Sequence, residues 1–173
     1  VSSRIQAEER LQFMATHDGL TGLPNRVLLT DRLSSAIARA QRSGHRVAAM
    51  FLDLDHFKDV NDTFGHRVGD ELLKDLARRV RGTLRQSDLL VRLSGDEFVI
   101  VLEDLGGDSG PDRVAQKILD DVLRSFRIEG HDVTVSASLG YAIFPEDGSD
   151  PETLLKNADA AMYHAKEMGR NSY

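Results

Sequence analysis

The stretch RVAAMFLDLDHF (46–57) constrains the fold most, because an unbroken apolar run is followed at once by Asp53 and Asp55. A run that is apolar on both faces predicts a central β-strand that is covered on each side. The helical pattern from Val68 to Leu84, with apolar residues four apart, indicates one of the covering elements. The sequence therefore predicts a sheet between helices, with two carboxylates where its central strand ends.

Apart from a helix over residues 1–15, the sequence predicts the element order α-β-α-β-β-α-β-α. A charged helix is expected over residues 1–15, and the segment KDVNDTFGHRVGD is expected to contain a glycine-bearing loop. LLVRL and EFVIVLE predict the two arms of a hairpin, and HDVTVSASLGYAIFP predicts one long or two short strands. A hairpin flanked by strand-helix units predicts an α+β sandwich with a mostly antiparallel sheet. The remaining helices are expected over about 26–41, 68–84, 111–126 and 151–168.

Length and composition limit the possible functions. A chain of 173 residues is most simply one domain, expected over 16–173, with 1–15 as a linker helix from an upstream module. The absence of cysteine excludes a disulfide framework, a thiolate nucleophile and a cysteine-ligated zinc. The net charge of −6 argues against nonspecific binding to nucleic acid or an anionic membrane surface. We expect a cytoplasmic protein, either free or as the cytoplasmic part of a membrane-anchored one, and a start without Met suggests a piece of a longer chain.

Two acidic pairs are the first candidates for chemistry. Asp53 and Asp55 are two apart on a strand, so their carboxylates project to one face and would repel without a cation. Asp96 and Glu97 lie at the hairpin turn SGDE, where a polar hairpin tip is the simpler explanation. If the two strands are neighbours, these acids form a carboxylate cluster of the kind that supports two-metal phosphoryl or nucleotidyl transfer.

Two further pairs are weaker signals. Lys166 and Arg170 lie one turn apart in the predicted last helix, where cations also complement the helix dipole. Asn61 and Asp70 bracket the predicted glycine-bearing loop and could together hydrogen-bond guanine, although both residue types are common turn formers. None of the six histidines has the spacing of a metal site.

Taken together, these segments resemble the GGDEF family of diguanylate cyclases, from His17 to Asn171. The resemblance implies a central five-stranded sheet similar to the adenylyl cyclase catalytic core and the polymerase palm. It also implies condensation of two GTP into cyclic di-GMP with release of pyrophosphate. The matching motifs are DGLTGLPNR (18–26), DLDHFKDVNDTFGHRVGD (53–70), SGDEF (94–98), SLGYA (138–142) and ADAAMYHAKEMGRN (158–171).

The resemblance also implies roles for single residues. Asp53, Asp96 and the Leu54 carbonyl would bind two Mg²⁺ or Mn²⁺ ions per active site, and Glu97 would lie beside the metals and assist deprotonation of the attacking 3′-hydroxyl. The expected phosphate contacts are the backbone amides around His56, Phe57 and Lys58 and the side chains of Lys166 and Arg170. The expected guanine contacts are Asn61 and Asp70, with Leu20 and Leu73 as apolar walls. Ser94 and Gly95, in the signature turn, complete the expected GTP-binding residues.

The family reaction implies a homodimer, because each domain binds one GTP and two nucleotides must face each other. The segment RQSD (85–88) resembles the family's RxxD inhibitory site. There Arg85 and Asp88 would bind cyclic di-GMP, together with Arg92 from a neighbouring surface. A polar helix end explains RQSD equally simply, since RxxD alone is a weak pattern. Further expected partners are an upstream sensory domain and, in tandem proteins, a downstream phosphodiesterase domain.

Ser94 departs from the family pattern, which has Gly at this position. If the position requires a strained backbone, Ser costs roughly 1–3 kcal/mol, whereas if it requires only space, the hydroxyl is tolerated. The first interpretation favours an inactive GTP-binding module that regulates a tethered cyclic di-GMP phosphodiesterase, and the second favours an active cyclase. A cyclase that uses adenine is disfavoured, because the Asp70 carboxylate would face the unprotonated N1 of adenine.

Overall fold

The computed structural model describes residues 2–105 and 110–173. Six helices and six strands are formed within these ranges. In chain order they are α1 (Ser2–Thr16), α2 (Arg26–Ser43), β1 (Arg46–Leu54), α3 (Phe57–Phe64), α4 (His66–Thr83), β2 (Leu89–Ser94), β3 (Glu97–Leu105), α5 (Pro111–Leu123), β4 (Phe126–Ile128), β5 (His131–Val133), β6 (Ala137–Phe144) and α6 (Pro151–Glu167).

The central sheet is antiparallel with the strand order β2-β3-β1-β6, so the predicted fold class is confirmed. The prediction of five strands is wrong, because the sheet has four. The segment 131–145 is divided: His131–Val133 pairs with β4 in a separate two-stranded sheet, and only Ala137–Phe144 joins the central one. The strand β1 is central as predicted, and it pairs with β3 on one side and β6 on the other.

Alternate residues of β1 enter two hydrophobic cores, one on each face of the sheet. Met50 and Leu52 pack into the core formed with α4 and α5, whereas Ala49 and Phe51 pack into the core formed with α2 and α6. Burial on both faces explains why the strand is apolar throughout its length. By the same alternation, Asp53 lies on the face that is covered by α6.

Local signals in the sequence set several helix ends. The side chain of Asn25 accepts a hydrogen bond from the Val27 amide (3.0 Å) at the start of α2, and Asp150 does the same for Thr153 (3.0 Å) at the start of α6. Gly44 ends α2 in the left-handed conformation with φ of 75°. These polar residues therefore satisfy backbone groups that a helix end leaves unpaired.

The loop predicted around KDVNDTFG is wrong, because most of this segment forms α3. Its Val60 is buried and Phe57 packs against the same core, so tertiary packing stabilises a helix that turn-forming residues obscure in the sequence. The helix α1 is present as predicted and is largely exposed. No helix in residues 2–105 and 110–173 is both long enough and apolar enough to cross a bilayer.

Gly140 on β6 permits the close packing of α6 against the sheet. A Cβ atom at this position would overlap the backbone of Ala161 and Met162. We expect Gly140→Ala to lower the free energy of unfolding by about 3 kcal/mol or more, because helix backbone cannot move aside as a side chain can. Chemical denaturation of the purified domain measures this change.

Gly82 on α4 is the matched control, because a Cβ there meets no atom within 4 Å. Gly82→Ala should raise the free energy of unfolding by about 0.5–1 kcal/mol through helix propensity alone. Equal effects of the two substitutions would contradict close packing of α6 on Gly140.

Candidate functional site

Three acidic residues lie near one another where β1 ends beside the β2–β3 turn. Asp53 is directly opposite Glu97 in the antiparallel pairing of β1 and β3. The Leu54 amide donates a hydrogen bond to the Asp96 carbonyl (3.4 Å), which holds the turn against the end of β1. Asp53, Asp96 and Glu97 therefore lie at one edge of the sheet, and their joint role in binding a ligand stays a prediction.

Asp53 has an environment that disfavours its ionised form. Burial, a close contact with the Asp96 carboxyl group and the charge of Glu97 together raise the pKa of Asp53 to about 7, although the Lys166 charge opposes this shift. The Oδ1 atom of Asp53 is buried and has no hydrogen-bond partner among the residues described. A buried carboxylate oxygen without a donor is costly, so this atom is suited to a cation that arrives with a ligand.

The donor set at this edge fits a hard divalent cation that keeps some ligands of its own. In the part of the chain that the structure describes, no three histidine, cysteine or acidic side chains form a complete metal cluster. Mg²⁺ commonly binds proteins through one or two carboxylates and completes its shell with water and phosphate oxygens. The unsatisfied oxygen of Asp53 and the adjacent Asp96 supply such carboxylates, and the sequence prediction for both is compatible with this geometry.

Asp55 faces the same lysine as Asp53 but is fully bonded. The Lys166 ammonium group is 3.5 Å from Asp53 Oδ2 and 3.3 Å from Asp55 Oδ1. Asp55 also accepts hydrogen bonds from the hydroxyl groups of Ser136 (2.6 Å) and Ser138 (2.7 Å) and from the Asn171 amide (3.0 Å). The two carboxylates therefore share a face as predicted, but only Asp53 has a free oxygen.

The pKa of Asp55 is shifted in the opposite direction to that of Asp53. Burial would raise the pKa of Asp55, but the hydrogen bonds from Ser136, Ser138 and the Asn171 amide, together with the Lys166 charge, outweigh burial and lower it. Asp55 is thus an ionised, structural carboxylate. The sequence did not indicate that Ser136, Ser138 and Asn171 bond to Asp55, because these donors are at least 81 residues away in the chain, just before β6, on β6 and after α6.

Lys166 and Arg170 are not one turn apart on a helix, which corrects the sequence prediction. The helix α6 ends at Glu167, and Arg170 lies in the following turn with a left-handed φ of 64°. Lys166 faces the acidic edge of the sheet, where its side chain is 18% exposed. The structure therefore brings Lys166, but not Arg170, into direct contact with the carboxylates.

The other predicted phosphate contacts lie at the start of α3, and the predicted guanine contacts Asn61 and Asp70 lie on α3 and α4. His56 has a left-handed φ of 57° and precedes α3, whose first turn has no capping side chain among the residues described. The Asn61 side chain packs against Gly69, where a Cβ would overlap its Oδ1 atom, and this oxygen is buried without a partner in the described residues. Asn61 thus lies beside the residue that precedes Asp70. The predicted apolar walls differ in burial: Leu73 is buried, and Leu20 is half-buried against the same core.

The signature turn is held by an ion pair that the sequence analysis missed. Arg92 donates two hydrogen bonds from Nη1 to the Asp18 carboxylate (2.9 and 3.0 Å) and one from Nε to the Gly95 carbonyl (3.0 Å). Burial would raise the pKa of Asp18, but hydrogen bonds from Thr21 and Arg92 outweigh burial and lower it. Arg92 is therefore bonded within its own chain and is not placed beside Arg85.

The RQSD segment forms a tight turn at the end of α4. The Asp88 side chain is 4% exposed and accepts hydrogen bonds from Arg85 Nη2 (3.2 Å) and from the Arg85 amide (2.9 Å). Arg85 Nη2 also donates to the Glu103 carbonyl (2.7 Å). The two residues line a cavity of about 250 Å³ together with Arg113 of α5, a residue that the sequence analysis did not select.

Ser94 and Gly95 have different backbone conformations in the turn. The residue in the left-handed region is Gly95, with φ of 49°, whereas Ser94 has no positive φ and ends β2. Ser94 is exposed and pairs with Glu97. The strained-backbone interpretation of the serine is therefore wrong, and only the question of space beside a ligand is left.

Comparisons with known proteins agree with this geometry. The family model "Diguanylate cyclase, GGDEF domain" matches residues 15–172. The bifunctional diguanylate cyclase/cyclic di-GMP phosphodiesterase MucR of Pseudomonas aeruginosa is 46% identical over 172 residues, which cover 99% of this chain and 25% of MucR. The chain spans from 21% to 40% of the length of the first curated relatives that it matches.

Solved structures show the same fold. The GGDEF domain of TpbB from Pseudomonas aeruginosa is 42% identical, with a TM-score of 0.87 over 90% of this chain and 91% of that one. The coiled coil and GGDEF domain of DgcB from Caulobacter crescentus, solved in complex with c-di-GMP, is 29% identical, with a TM-score of 0.85 over 99% and 91% of the two chains.

The pKa of Asp53 predicts a pH-dependent loss of stability. A value of about 7 lies above that of an unfolded aspartate, so the folded state keeps a proton that the unfolded state releases above pH ~4. Stability should fall as pH rises towards 7, and Asp53→Asn should remove this loss. We expect the variant to exceed the unmodified protein in free energy of unfolding by about 1–2 kcal/mol at pH 8, which is less than half of the full linkage value because solvent screens this partly exposed group, with little difference near pH 4.

Urea unfolding at the two pH values tests this expectation. Asp62→Asn, an exposed position on α3, is the control and should change stability equally at both pH values. If Asp53→Asn gives no larger gain at pH 8 than at pH 4, the carboxylate is not held in the environment described.

Proposed function

Because the chain belongs to the GGDEF family of diguanylate cyclases, we propose that it is a nucleotidyltransferase that condenses two GTP into cyclic di-GMP. The observation that carries this proposal is the buried, unbonded oxygen of Asp53 beside Asp96 and Lys166, opposite Glu97. Neighbouring carboxylates oppose each other's ionisation, and a bound cation relieves this repulsion. Such a group of acids can therefore bind a cation that also contacts the phosphates of a nucleotide.

Asp53, Asp96 and the Leu54 carbonyl would hold Mg²⁺ or Mn²⁺, two ions per site, with Glu97 beside them. When bound, these ions supply charge neutralisation at the α-phosphate and lower the pKa of the attacking hydroxyl group. Glu97 accepts the proton of the 3′-hydroxyl as that oxygen bonds to the α-phosphorus of the other GTP. The bond to the β-phosphate breaks and pyrophosphate leaves, and the same step repeated in the other direction closes the ring.

The phosphates would be bound by two groups of donors. The backbone amides around His56, Phe57 and Lys58 lie at the N-terminus of α3, which has no capping side chain among the described residues and so favours anions. Lys166 is already at the acidic edge, and Arg170 would have to approach from the turn after α6. These cations offset the charge that develops on the leaving pyrophosphate.

Guanine would be bound between α3 and α4. The Asp70 carboxylate would accept hydrogen bonds from guanine N1–H and the exocyclic amine, and Asn61 would meet the acceptor atoms of the base. The buried, unbonded Oδ1 of Asn61 next to Gly69 supports a polar ligand at this position. Leu20 and Leu73 would form the apolar walls, Ser94 and Gly95 would contact the phosphates, and adenine would be disfavoured by the Asp70 carboxylate.

The reaction requires a homodimer, because one site per chain binds one GTP. The exposed helix α1, which we interpret as a linker from an upstream module, presents Ile5, Leu11 and Met14 to solvent and is available for pairing with a second copy. The relative DgcB was solved with a coiled coil beside its GGDEF domain, which supports this role. We propose a cytoplasmic location, where GTP is available, with a sensory domain upstream.

A second candidate function is a GTP-binding regulatory module that controls a tethered cyclic di-GMP phosphodiesterase. The specific observation in its favour is that MucR, a cyclase and phosphodiesterase, is four times as long as the matched segment. The geometry of Ser94 favours the active cyclase instead, since the side chain is exposed and its backbone unstrained.

Synthesis of cyclic di-GMP from GTP and Mg²⁺ tests the two functions. We expect product from the purified dimer, a loss of at least about 100-fold with Glu97→Gln, which removes the proton acceptor, and a change of less than about fivefold with Ser94→Gly. Chromatography of the nucleotides measures the rates. Intact GTP binding without product in the unmodified protein, and product restored by Ser94→Gly, would establish the regulatory function.

We propose product inhibition at the cavity of Arg85 and Asp88, with Arg113 as a further ligand. Arginine binds O6 and N7 of guanine bidentately, and two arginines, Arg85 and Arg113, line this cavity beside Asp88. Arg92, expected here from the sequence, would first have to leave Asp18 and Gly95.

Calorimetry with cyclic di-GMP tests the inhibitory site. Arg85→Ala should weaken binding at least about tenfold by removing a bidentate donor. Arg78→Ala, at an exposed arginine on α4, the helix that precedes the turn with Arg85, is the matched control and should bind normally. Unchanged affinity in Arg85→Ala would exclude the site.

A further inference from the structure

We propose that Asp55 is a positioning residue that couples the segment after α6 to Lys166, and through Lys166 to the nucleotide site. The part of this inference that concerns nucleotide rests on the proposed function. Neither acid-base chemistry nor metal binding is assigned to Asp55, because its carboxylate acts only through the groups that it holds in place.

Asp55 joins four separate parts of the chain. Its own amide donates to the Ser136 carbonyl (2.8 Å), and its carboxylate accepts the hydroxyl groups of Ser136 and Ser138. The same carboxylate accepts the Asn171 amide at 3.0 Å and the Lys166 ammonium group at 3.3 Å. Asp55 is only 3% exposed while these groups are in place, so its carboxylate depends mainly on protein donors.

Lys166 is shared between this structural carboxylate and the candidate active site. Its ammonium group is 3.5 Å from Asp53, nearly the same distance as from Asp55. Removal of another donor from one carboxylate strengthens the attraction of that carboxylate for a cation that it shares with a second carboxylate. The number of other hydrogen bonds to Asp55 therefore determines how freely Lys166 can turn towards Asp53 and a nucleotide phosphate.

The Asn171 amide is the donor that can be withdrawn most easily. Arg170 and Asn171 both have left-handed φ angles, 64° and 46°, which turn the chain back after α6. The returning segment lies along β6, the edge strand of the sheet, where the Leu139 amide donates to the Ser172 carbonyl (2.9 Å). Beyond it, the ring of Tyr173 stacks on Tyr141, with centroids 6.4 Å apart.

Displacement of this segment removes one donor from a buried, ionised carboxylate. Lys166 is the remaining mobile cation in contact with Asp55, and it compensates by moving closer to Asp55 and away from Asp53. A protein or domain that pulls on residues 169–173 would thereby weaken nucleotide binding without touching the nucleotide. The structure thus assigns a route from the end of α6 to the active site that passes through one carboxylate.

The experiment compares Asn171→Pro with Asn171→Gly. Proline removes the amide donor and cannot adopt a positive φ, whereas glycine keeps the donor and adopts this φ freely. The affinity for a GTP analogue with a methylene group between the α- and β-phosphates is measured with Mg²⁺ by calorimetry. We expect Asn171→Pro to weaken binding about fivefold to tenfold and Asn171→Gly to leave it within about twofold.

The same pair is then measured in two backgrounds, Lys166→Gln and Asp55→Asn. If the coupling passes through Asp55 and Lys166, Asn171→Pro changes the affinity less than about twofold in both. A fivefold to tenfold loss that persists in the Lys166→Gln background, or no loss in the unmodified background, overturns the proposal. The Lys166→Gln result decides alone if Asp55→Asn does not fold.

Measurements without nucleotide separate this inference from the proposed function. Asn171→Pro should accelerate hydrogen exchange of the Leu139 amide. Lys166→Gln should lower the free energy of unfolding more when it is combined with Asn171→Pro than when it is combined with Asn171→Gly. If the unmodified protein binds no nucleotide, the proposed function fails and this stability comparison decides the inference. Equal destabilisation in the two backgrounds would then overturn the link between Asn171 and Lys166.

Discussion

The antiparallel pairing of β1 on both of its edges is the constraint on which the rest of the structure depends. This strand is buried on both faces, so its register with β3 and β6 is fixed by the two cores that its side chains enter. The register places Asp53 opposite Glu97 on one side and Ser138 on the other. A slip by one residue would turn Asp53 away from α6 and separate it from Lys166.

The candidate site concentrates negative charge at the end of β1. The two aspartates there, Asp53 on the strand and Asp55 just after it, differ in how their carboxylates are stabilised. Asp55 is stabilised by hydroxyl, amide and ammonium donors, which outweigh the cost of burial. Asp53 lacks a donor on one oxygen among the described residues, and burial together with the nearby Asp96 and Glu97 raises its pKa to about 7. The structural carboxylate is satisfied by the protein, and the candidate metal-binding carboxylate leaves room for a ligand.

A second set of polar contacts holds the signature turn in place. Arg92 reaches from β2 to Asp18 and to the Gly95 carbonyl, so the turn that carries Asp96 and Glu97 is attached to the loop before α2. The left-handed residue of the turn is Gly95, which explains why serine is acceptable at position 94 as far as the backbone is concerned. The departure from the family pattern therefore affects only the space around a bound nucleotide.

The sequence by itself determined the fold class, the central strand, the positions of five helices and the grouping of Asp53, Asp96 and Glu97. These features follow from local periodicity and from motifs, which are contiguous in the chain. The tertiary structure alone decided that the sheet has four strands, that residues 57–64 are helical, and that Arg92 binds Asp18. It also decided that Asp55 is bonded to Ser136, Ser138, Lys166 and Asn171, because contacts over 81 to 116 residues leave no local pattern.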